Sequence, residues 1–231
     1  KQVDMSKAFI EEQERRRERK LGDQIYDVTG WSLPLMYNLE VDTCGKGVSG
    51  QHRLVKMTDT LEGNVINPNA TVAYIVPWGD MAAGRFLTAA LQQNVTLKTA
   101  DRAFTLDDKK RYPAGSLIIE VATNGADIAA TVQDIAAKSG ALVEGVNTSW
   151  VTKGPSFGSN DTYLMSAPKI AMAWDDPTSS LSAGNTRYVI EQQFGYPVNA
   201  VRTSMLASAD LRHYQVLILP AGRYQDGLGK A

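Results

Sequence analysis

The chain has 231 residues and carries 24 Lys and Arg against 25 Asp and Glu, a formal net charge of −1, so no global electrostatic argument favours nucleic acid or an anionic membrane as partner. Its single cysteine, Cys44, excludes an internal disulfide and a cysteine-rich zinc module and leaves the redox compartment open. No apolar run approaches the ~20 residues that a bilayer-spanning helix needs, and no basic-then-apolar leader opens the chain.

At this length the chain can bury roughly 70% of the surface its unfolded form exposes, in one large or two small domains. It begins at Lys1, and its last apolar run is followed closely by Ala231, so it reads as cut at both ends. Residues 5–20 are expected to form a polar helix, capped by Asp4 or Ser6, with Glu11/Arg15 and Glu12/Arg16 spaced for side-chain pairing. The run Arg15-Arg16-Arg17-Glu18-Arg19-Lys20 could serve as a phosphate-binding stripe. Residues 1–20 hold seven Lys and Arg and five Asp and Glu, a net of only +2, which favours a solvated helix face. Thr29 is placed to cap a short helix through Trp31, Leu33, Met36 and Tyr37, which would dock on the unit that follows. A short strand is expected over 39–43, and residues 44–70, rich in Gly, Asn, Thr and Asp, read as loops with at most one short strand.

From Thr71 onward the pattern becomes regular. Val72-Ala73-Tyr74-Ile75-Val76 is a short continuous apolar run of the kind a doubly buried strand requires. Trp78-Gly79-Asp80 turns into a helix whose Ala83, Phe86, Leu87, Ala90 and Leu91 make one apolar stripe. Strands are expected over 95–99, 116–121 and 141–146, the first two separated by a charged excursion at residues 107–111. A helix with Ile128, Val132, Ile135 and Ala136 inward should end at Gly140 in a left-handed cap. Residues 151–167 have no period and read as a linker. A second alternation follows, with strands over 170–174, 198–202 and 216–219, a helix over 183–194 ending at Gly195, and a short helix near 208–211.

The expected architecture is α/β, with mainly parallel doubly wound sheets of the Rossmann or flavodoxin kind in two consecutive units, the second truncated. The corresponding divisions are a helix and connecting segment over 1–65, an α/β unit over 66–150, a linker over 151–167 and a partial α/β unit over 168–231. Open α/β sheets bind ligands beyond the carboxyl ends of their strands, which makes Gly79, Asp80, Asp175, Asp176 and Gly222 the candidate ligand-binding residues. Turns between strands and helices also favour Gly and Asp for backbone reasons alone.

Other letter patterns fail on context. Gly154-Pro155-Ser156-Phe157-Gly158 spells a nucleophile elbow, but polar loop flanks it on both sides where a strand and a helix are required. Ser166-Ala167-Pro168-Lys169 spells Ser-x-x-Lys, yet Pro168 opposes the helix that would bring Lys beneath Ser. His52 and His213 have no second ligand at helical spacing, so no metal is expected from this chain, and Cys44 has no positioned His.

One stretch points to a lineage. Tyr26-Asp27-Val28-Thr29-Gly30-Trp31-Ser32-Leu33-Pro34-Leu35 follows the helix bearing Phe9-Ile10-Glu11-Glu12-Gln13 and Arg15-Arg16, and precedes Ala73-Tyr74-Ile75-Val76-Pro77-Trp78-Gly79-Asp80. Together these resemble the region after the peptidase domain of large bacterial zinc carboxypeptidase-like proteins. That region is a non-peptidase α/β segment running into a domain similar to class I glutamine amidotransferases. Residues 169–174 and Val216-Leu217-Ile218-Leu219-Pro220-Ala221-Gly222-Arg223-Tyr224 look like that domain's first and third strands.

For catalysis the resemblance implies little. The family's zinc site uses a His-x-x-Glu pair, whereas His52 is followed by Arg53-Leu54-Val55 and His213 by Tyr214-Gln215-Val216. An amidotransferase nucleophile is a cysteine beyond the third strand, and Cys44 lies upstream. The resemblance therefore implies a non-catalytic accessory region, structural or interaction-forming, of an exported periplasmic or extracellular protein. Its expected partner is the peptidase domain of the same polypeptide, which would hold the zinc, with no cofactor in this chain. A second reading is a small-molecule-binding or hydrolytic amidotransferase-like domain acting at the carboxyl ends of its strands. The oligomeric state is left open.

Overall fold

In the computed structural model, which describes residues 7–22, 45–47, 49–51, 53, 56, 59 and 62–224, the chain divides into two units, Lys1–Val55 and Lys56–Ala231. The run from Tyr26 to Leu35, the Thr29-capped helix, the strand expected over 39–43, Cys44 and His52 lie outside the described residues. The first unit contains α1 (Lys7–Glu18). Its pairs are Lys7–Glu11 at 3.9 Å and Glu12–Arg15 at 3.1 Å, one position displaced from the spacing expected for the second. Both are solvent-exposed and worth only tenths of a kcal/mol, on the order of 0.3–0.5. Arg15, Arg16 and Arg17 occupy the last turn, where the helix dipole favours positive charge, and Arg16 Nε donates to the Gly22 carbonyl at 2.9 Å.

The second unit begins with β1 (Asn64–Ile66) and β2 (Ala73–Val76), followed by α2 (Met81–Gln92). Next come β3 (Lys98–Ala100), β4 (Phe104–Leu106), β5 (Lys110–Tyr112), β6 (Leu117–Glu120), α3 (Ile128–Ser139) and β7 (Leu142–Val146). Asp80 initiates α2 by accepting from the Ala83 amide at 2.8 Å, and Gly140 ends α3 with φ 79°, the left-handed cap its position in the sequence implied. The remaining elements are β8 (Val151–Lys153), β9 (Thr162–Leu164), β10 (Ile170–Trp174), α4 (Ser180–Tyr188), β11 (Val198–Arg202) and β12 (Val216–Ile218). α4 runs directly into a π-helical turn, Val189–Gln193, and Gly195 follows with φ 63°. Short 3₁₀ turns occupy Thr203–Met205 and Leu211–His213, where a short helix near 208–211 was expected.

The larger sheet has six strands in the order β1-β7-β2-β6-β3-β9. β1 and β7 are parallel, whereas β2 pairs antiparallel with β6 and β7, and β3 pairs antiparallel with β6 and β9. Its core, β2-α2-β3-β6-α3-β7, is a split βαβ arrangement: β6 lies between β2 and β3, and β2 lies between β6 and β7. This sheet is therefore mixed, and parallel pairing is confined to its β1–β7 edge. The second sheet, β11-β10-β12, is parallel throughout, as the sequence pattern implied. Residues 151–167 contribute β8 and β9, one to each of two sheets, so the stretch that reads as a linker is built into the fold.

Alternation along β2 and β6 divides the core in two. Tyr74 and Val76, with Leu117 and Ile119, face α2 and α3 and meet Phe86, Leu91, Val132 and Ile135. Ala73, Ile75 and Ile118 face the other way, against Phe104, Leu106, Tyr112 and Phe157. That second face is covered by a three-stranded antiparallel sheet, β5-β4-β8, where the sequence pattern implied helices. Phe104 stacks on Tyr112 at 5.1 Å between centroids and meets Phe157 edge-on at 6.1 Å. Asp107 and Asp108, with φ 51° and 52°, turn the chain between β4 and β5. The small sheet is pinned by Glu144 on β7, which accepts from Tyr112 Oη at 2.7 Å and pairs with Lys110. Lys98 pairs with Glu120 at 2.6 Å and donates to the Phe157 carbonyl at 2.9 Å.

Two measurements check this arrangement. Amide exchange should be slowest at Tyr74 to Val76 and at Ile118 and Ile119 in the middle of the mixed sheet, and fast along the β9 edge. Phe86→Ala should cost about 3–5 kcal/mol in urea unfolding, because it empties a fully buried site between α2 and the sheet.

Candidate functional site

Of the five candidate residues, the fold brings three together at the carboxyl ends of β10 and β12. β10 delivers Trp174, then Asp175 in the left-handed region with φ 70°, then Asp176 and Pro177. An aspartate tolerates this backbone better than most residues because its short polar side chain can bond locally. Ser179 caps α4 by accepting from the Ser182 amide at 3.4 Å. From the other strand, the turn after β12 brings Ala221 and Gly222 against the same segment, with an isolated antiparallel bridge between Thr178 and Gly222.

The two turns are clasped by backbone hydrogen bonds. The Ser179 amide donates to the Ala221 carbonyl at 2.7 Å, and the Arg223 amide donates to the Pro177 carbonyl at 3.1 Å. Ser182 Oγ accepts from the Ala221 amide at 3.1 Å. Tyr224 Oη donates to the Pro220 carbonyl at 2.7 Å and lies 3.1 Å from Thr178 Oγ1. Gly222 is required by this approach: a Cβ there would stand 2.7 Å from the Pro177 carbonyl oxygen and 3.0 Å from Thr178 Cα.

Charge at the site is largely paired. Arg202, at the end of the neighbouring β11, places Nε 3.4 Å from Asp175 Oδ2, and Thr203 Oγ1 donates to the Asp176 carbonyl. Arg187 lies over the Trp174 ring, 5.4 Å from its centroid, and donates through Nε to Glu191 Oε2 at 2.8 Å. That hydrogen bond holds the Glu191 carboxyl below its ordinary value of 4.5. Beside the turn lies a cavity of about 180 Å³ lined by Trp174, Asp175, Asp176, Thr178, Ser180 and Ala183. Its walls offer carboxylates, hydroxyls and one aromatic edge, a set suited to a few polar contacts with a small molecule.

Gly79 and Asp80 sit in the β2–α2 turn of the larger sheet. There the Asp80 carboxylate accepts the Ala83 amide, a capping role sufficient to explain the residue. Gly79 adopts φ 147°, a conformation that side chains rarely take. The convergence of Asp175, Asp176 and Gly222 was legible from their strand ends, whereas Arg202 and Arg187 were not singled out. A signal existed for Arg202, since it closes the strand expected beside β10.

The remaining motifs keep ordinary surroundings. Ser156 lies in the loop between β8 and β9, where its carbonyl accepts from Thr162 Oγ1 at 2.8 Å and from the Ser159 amide at 3.0 Å. His213 Nε2 lies 3.5 Å from Asp210, whose carboxyl is drawn down by hydrogen bonds from Arg212. Among the described residues, no three His, Cys, Asp or Glu side chains gather closely enough to hold a metal ion. None of the described helices is long and apolar enough to cross a membrane. No protein-family model, curated protein or solved structure matches the chain.

Gly222→Ala should destabilise the second sheet by about 1–3 kcal/mol in chemical denaturation, because the new methyl must displace backbone on the opposite turn. The Arg187–Glu191 bond has a defined pH signature, since a carboxylate with a lowered folded value stabilises above its ordinary value. Its contribution is complete above about pH 4.5 and fades as pH falls through the lowered value. Arg187→Gln should therefore cost about 0.3–0.5 kcal/mol at pH 7 through this bond, beside a pH-independent loss of the contact with Trp174, and the part due to Glu191 should shrink as pH falls below about 4.5.

Proposed function

We propose that this chain is a non-catalytic accessory region, structural or interaction-forming, of an exported zinc carboxypeptidase-like protein, with the peptidase site and its zinc outside these residues. In this reading its partner is the peptidase domain of the same polypeptide, and residues 168–231 belong to a glutamine amidotransferase-like, doubly wound unit. One observation carries it. The β10 and β12 turns, where such a sheet would take a ligand, bond to one another through Ser179, Ala221, Pro177 and Arg223, so backbone groups suited to ligand recognition are already engaged in holding the strand ends. The parallel order β11-β10-β12, with a helix between the first two of its strands in the chain, is compatible with that unit.

A second reading rests on the cavity of about 180 Å³ beside Asp175, Asp176 and Ser180. Here the chain binds, or hydrolyses, a small polar molecule at the carboxyl end of β10. Two measurements separate the readings. Under the first, the purified chain holds no stoichiometric zinc by elemental analysis, releases no carboxyl-terminal residue from peptides, and melts at the same temperature with and without a chelator. A full equivalent of zinc or peptide cleavage would overturn it. Under the second, a thermal-shift screen of small polar ligands yields a stabilising compound whose effect is lost in Asp176→Asn, and a flat screen counts against it.

A further inference from the structure

The groove between α2 and the π-helical turn is chemically unlike the polar mouth at β10. It measures about 340 Å³, and its walls include Leu87, Leu91, Met165, Ile170, Ile190 and Phe194. Among the described residues, no Lys, Arg, His, Asp or Glu lines it. Three polar side chains reach it, the exposed Ser166 at its rim and two that are engaged elsewhere. Thr88 Oγ1 donates to the Phe194 carbonyl at 2.6 Å, and Tyr196 Oη donates to the Pro168 carbonyl at 2.8 Å.

These same bonds hold the groove at a set width. Thr88 fastens α2 to Phe194, while Gln92 Nε2 donates to the Gly195 carbonyl at 3.0 Å, so two successive turns of α2 grip the end of the π-helical segment. The Phe194 ring seats on Gly84, where any Cβ would stand 2.7 Å from its Cε1. Ile190 enters the groove from the π-helical turn itself, and such turns recur at functional sites because they widen the helix locally. The space is thus preformed, as small-molecule sites usually are.

We propose that this groove is a binding site for a small, uncharged, apolar molecule, either a fused or paired aromatic ring system or a medium-length alkyl chain. Charge and hydrogen-bonding capacity decide the chemistry: a charged ligand would lose its hydration against walls that return no opposite charge and, Ser166 apart, no uncommitted polar side chain. Apolar cavities of roughly 150 Å³ already take up benzene, so the present one has room for about twice that.

The test uses the whole chain and the uncharged dye N-phenyl-1-naphthylamine. The expected result is saturable fluorescence enhancement with a single equivalent bound, displaced by 1-decanol at least about tenfold more effectively than by decanoate, which carries a similar chain with a charge. Ile190→Trp, which fills the groove, and Ile170→Glu, which charges its wall, should each weaken dye binding by about tenfold or more. Leu181→Glu, on the exposed face of α4, should leave it unchanged. Circular dichroism establishes that each variant is folded, and Leu87→Phe replaces any that is not. Absence of saturation, equal displacement by decanoate, or unaltered affinity in folded groove variants would overturn the proposal. Dye binding lost on concentration-dependent self-association would overturn it as well, since the groove would then belong to a second copy of the chain. None of these outcomes bears on zinc or peptide cleavage.

Discussion

The antiparallel pairing of β2 with β6 is the contact on which the rest of the second unit depends. Tyr74 faces Ile119, Ile75 faces Ile118 and Val76 faces Leu117, and all six are almost completely removed from solvent. Because successive side chains point to opposite faces, these two strands supply both cores at once. A slip of β2 by one residue would send Tyr74 into the space filled by Phe104 and Phe157, and would turn Ile75 toward the helices. Neither side has room for the exchange. The register is thus set by volume on two faces, and α2, α3 and the small sheet take their places from it.

Local signals carried much of this structure. Asp80 before an apolar stripe, Gly140 after one, and Gly195 before Pro197 marked helix ends through backbone chemistry that needs no partner. Topology was less legible, and the reason lies in residues 100–116. Strands alternating with helices suit a doubly wound sheet and a split βαβ arrangement equally well. What separates them is that no helical period connects 95–99 with 116–121, which lets β3 and β6 return as antiparallel neighbours. β4, β5, β8 and β9 are three residues each, too short to show a period of two above chance. Phe104 on β4, Tyr112 on β5 and Phe157 in the loop between β8 and β9 form one aromatic cluster only in space.

At the candidate site the same division holds. The rule that ligands gather beyond parallel strand ends identified Asp175, Asp176 and Gly222, and the parallel sheet does bring them together. It also selected Gly79 and Asp80, which the helix cap of α2 explains without a ligand. The rule cannot see what the turns do to one another, and here they bond. Two regions of different chemistry result. The strand ends are polar and mostly engaged in their own hydrogen bonds, while the groove at α2 is apolar and open. Tyr196 marks the second environment, as burial pushes its phenol above the ordinary value.

The parallel edge of the larger sheet has a consequence in time. Val65 pairs with Val143, and β2 has β7 on one side and β6 on the other, so β1 finds its partner, and β2 its second one, only after α3 has been made. Until then Tyr74, Ile75 and Val76 have at most β6 beside them and no complete layer of helices. Closing such distant pairs costs loop entropy before any contact is gained, which slows folding and prolongs exposure of an adhesive strand. The sheet is completed late, and a nascent chain that stops short of Val146 leaves β1 and one side of β2 unpaired, a substrate for chaperones more than a smaller version of the fold.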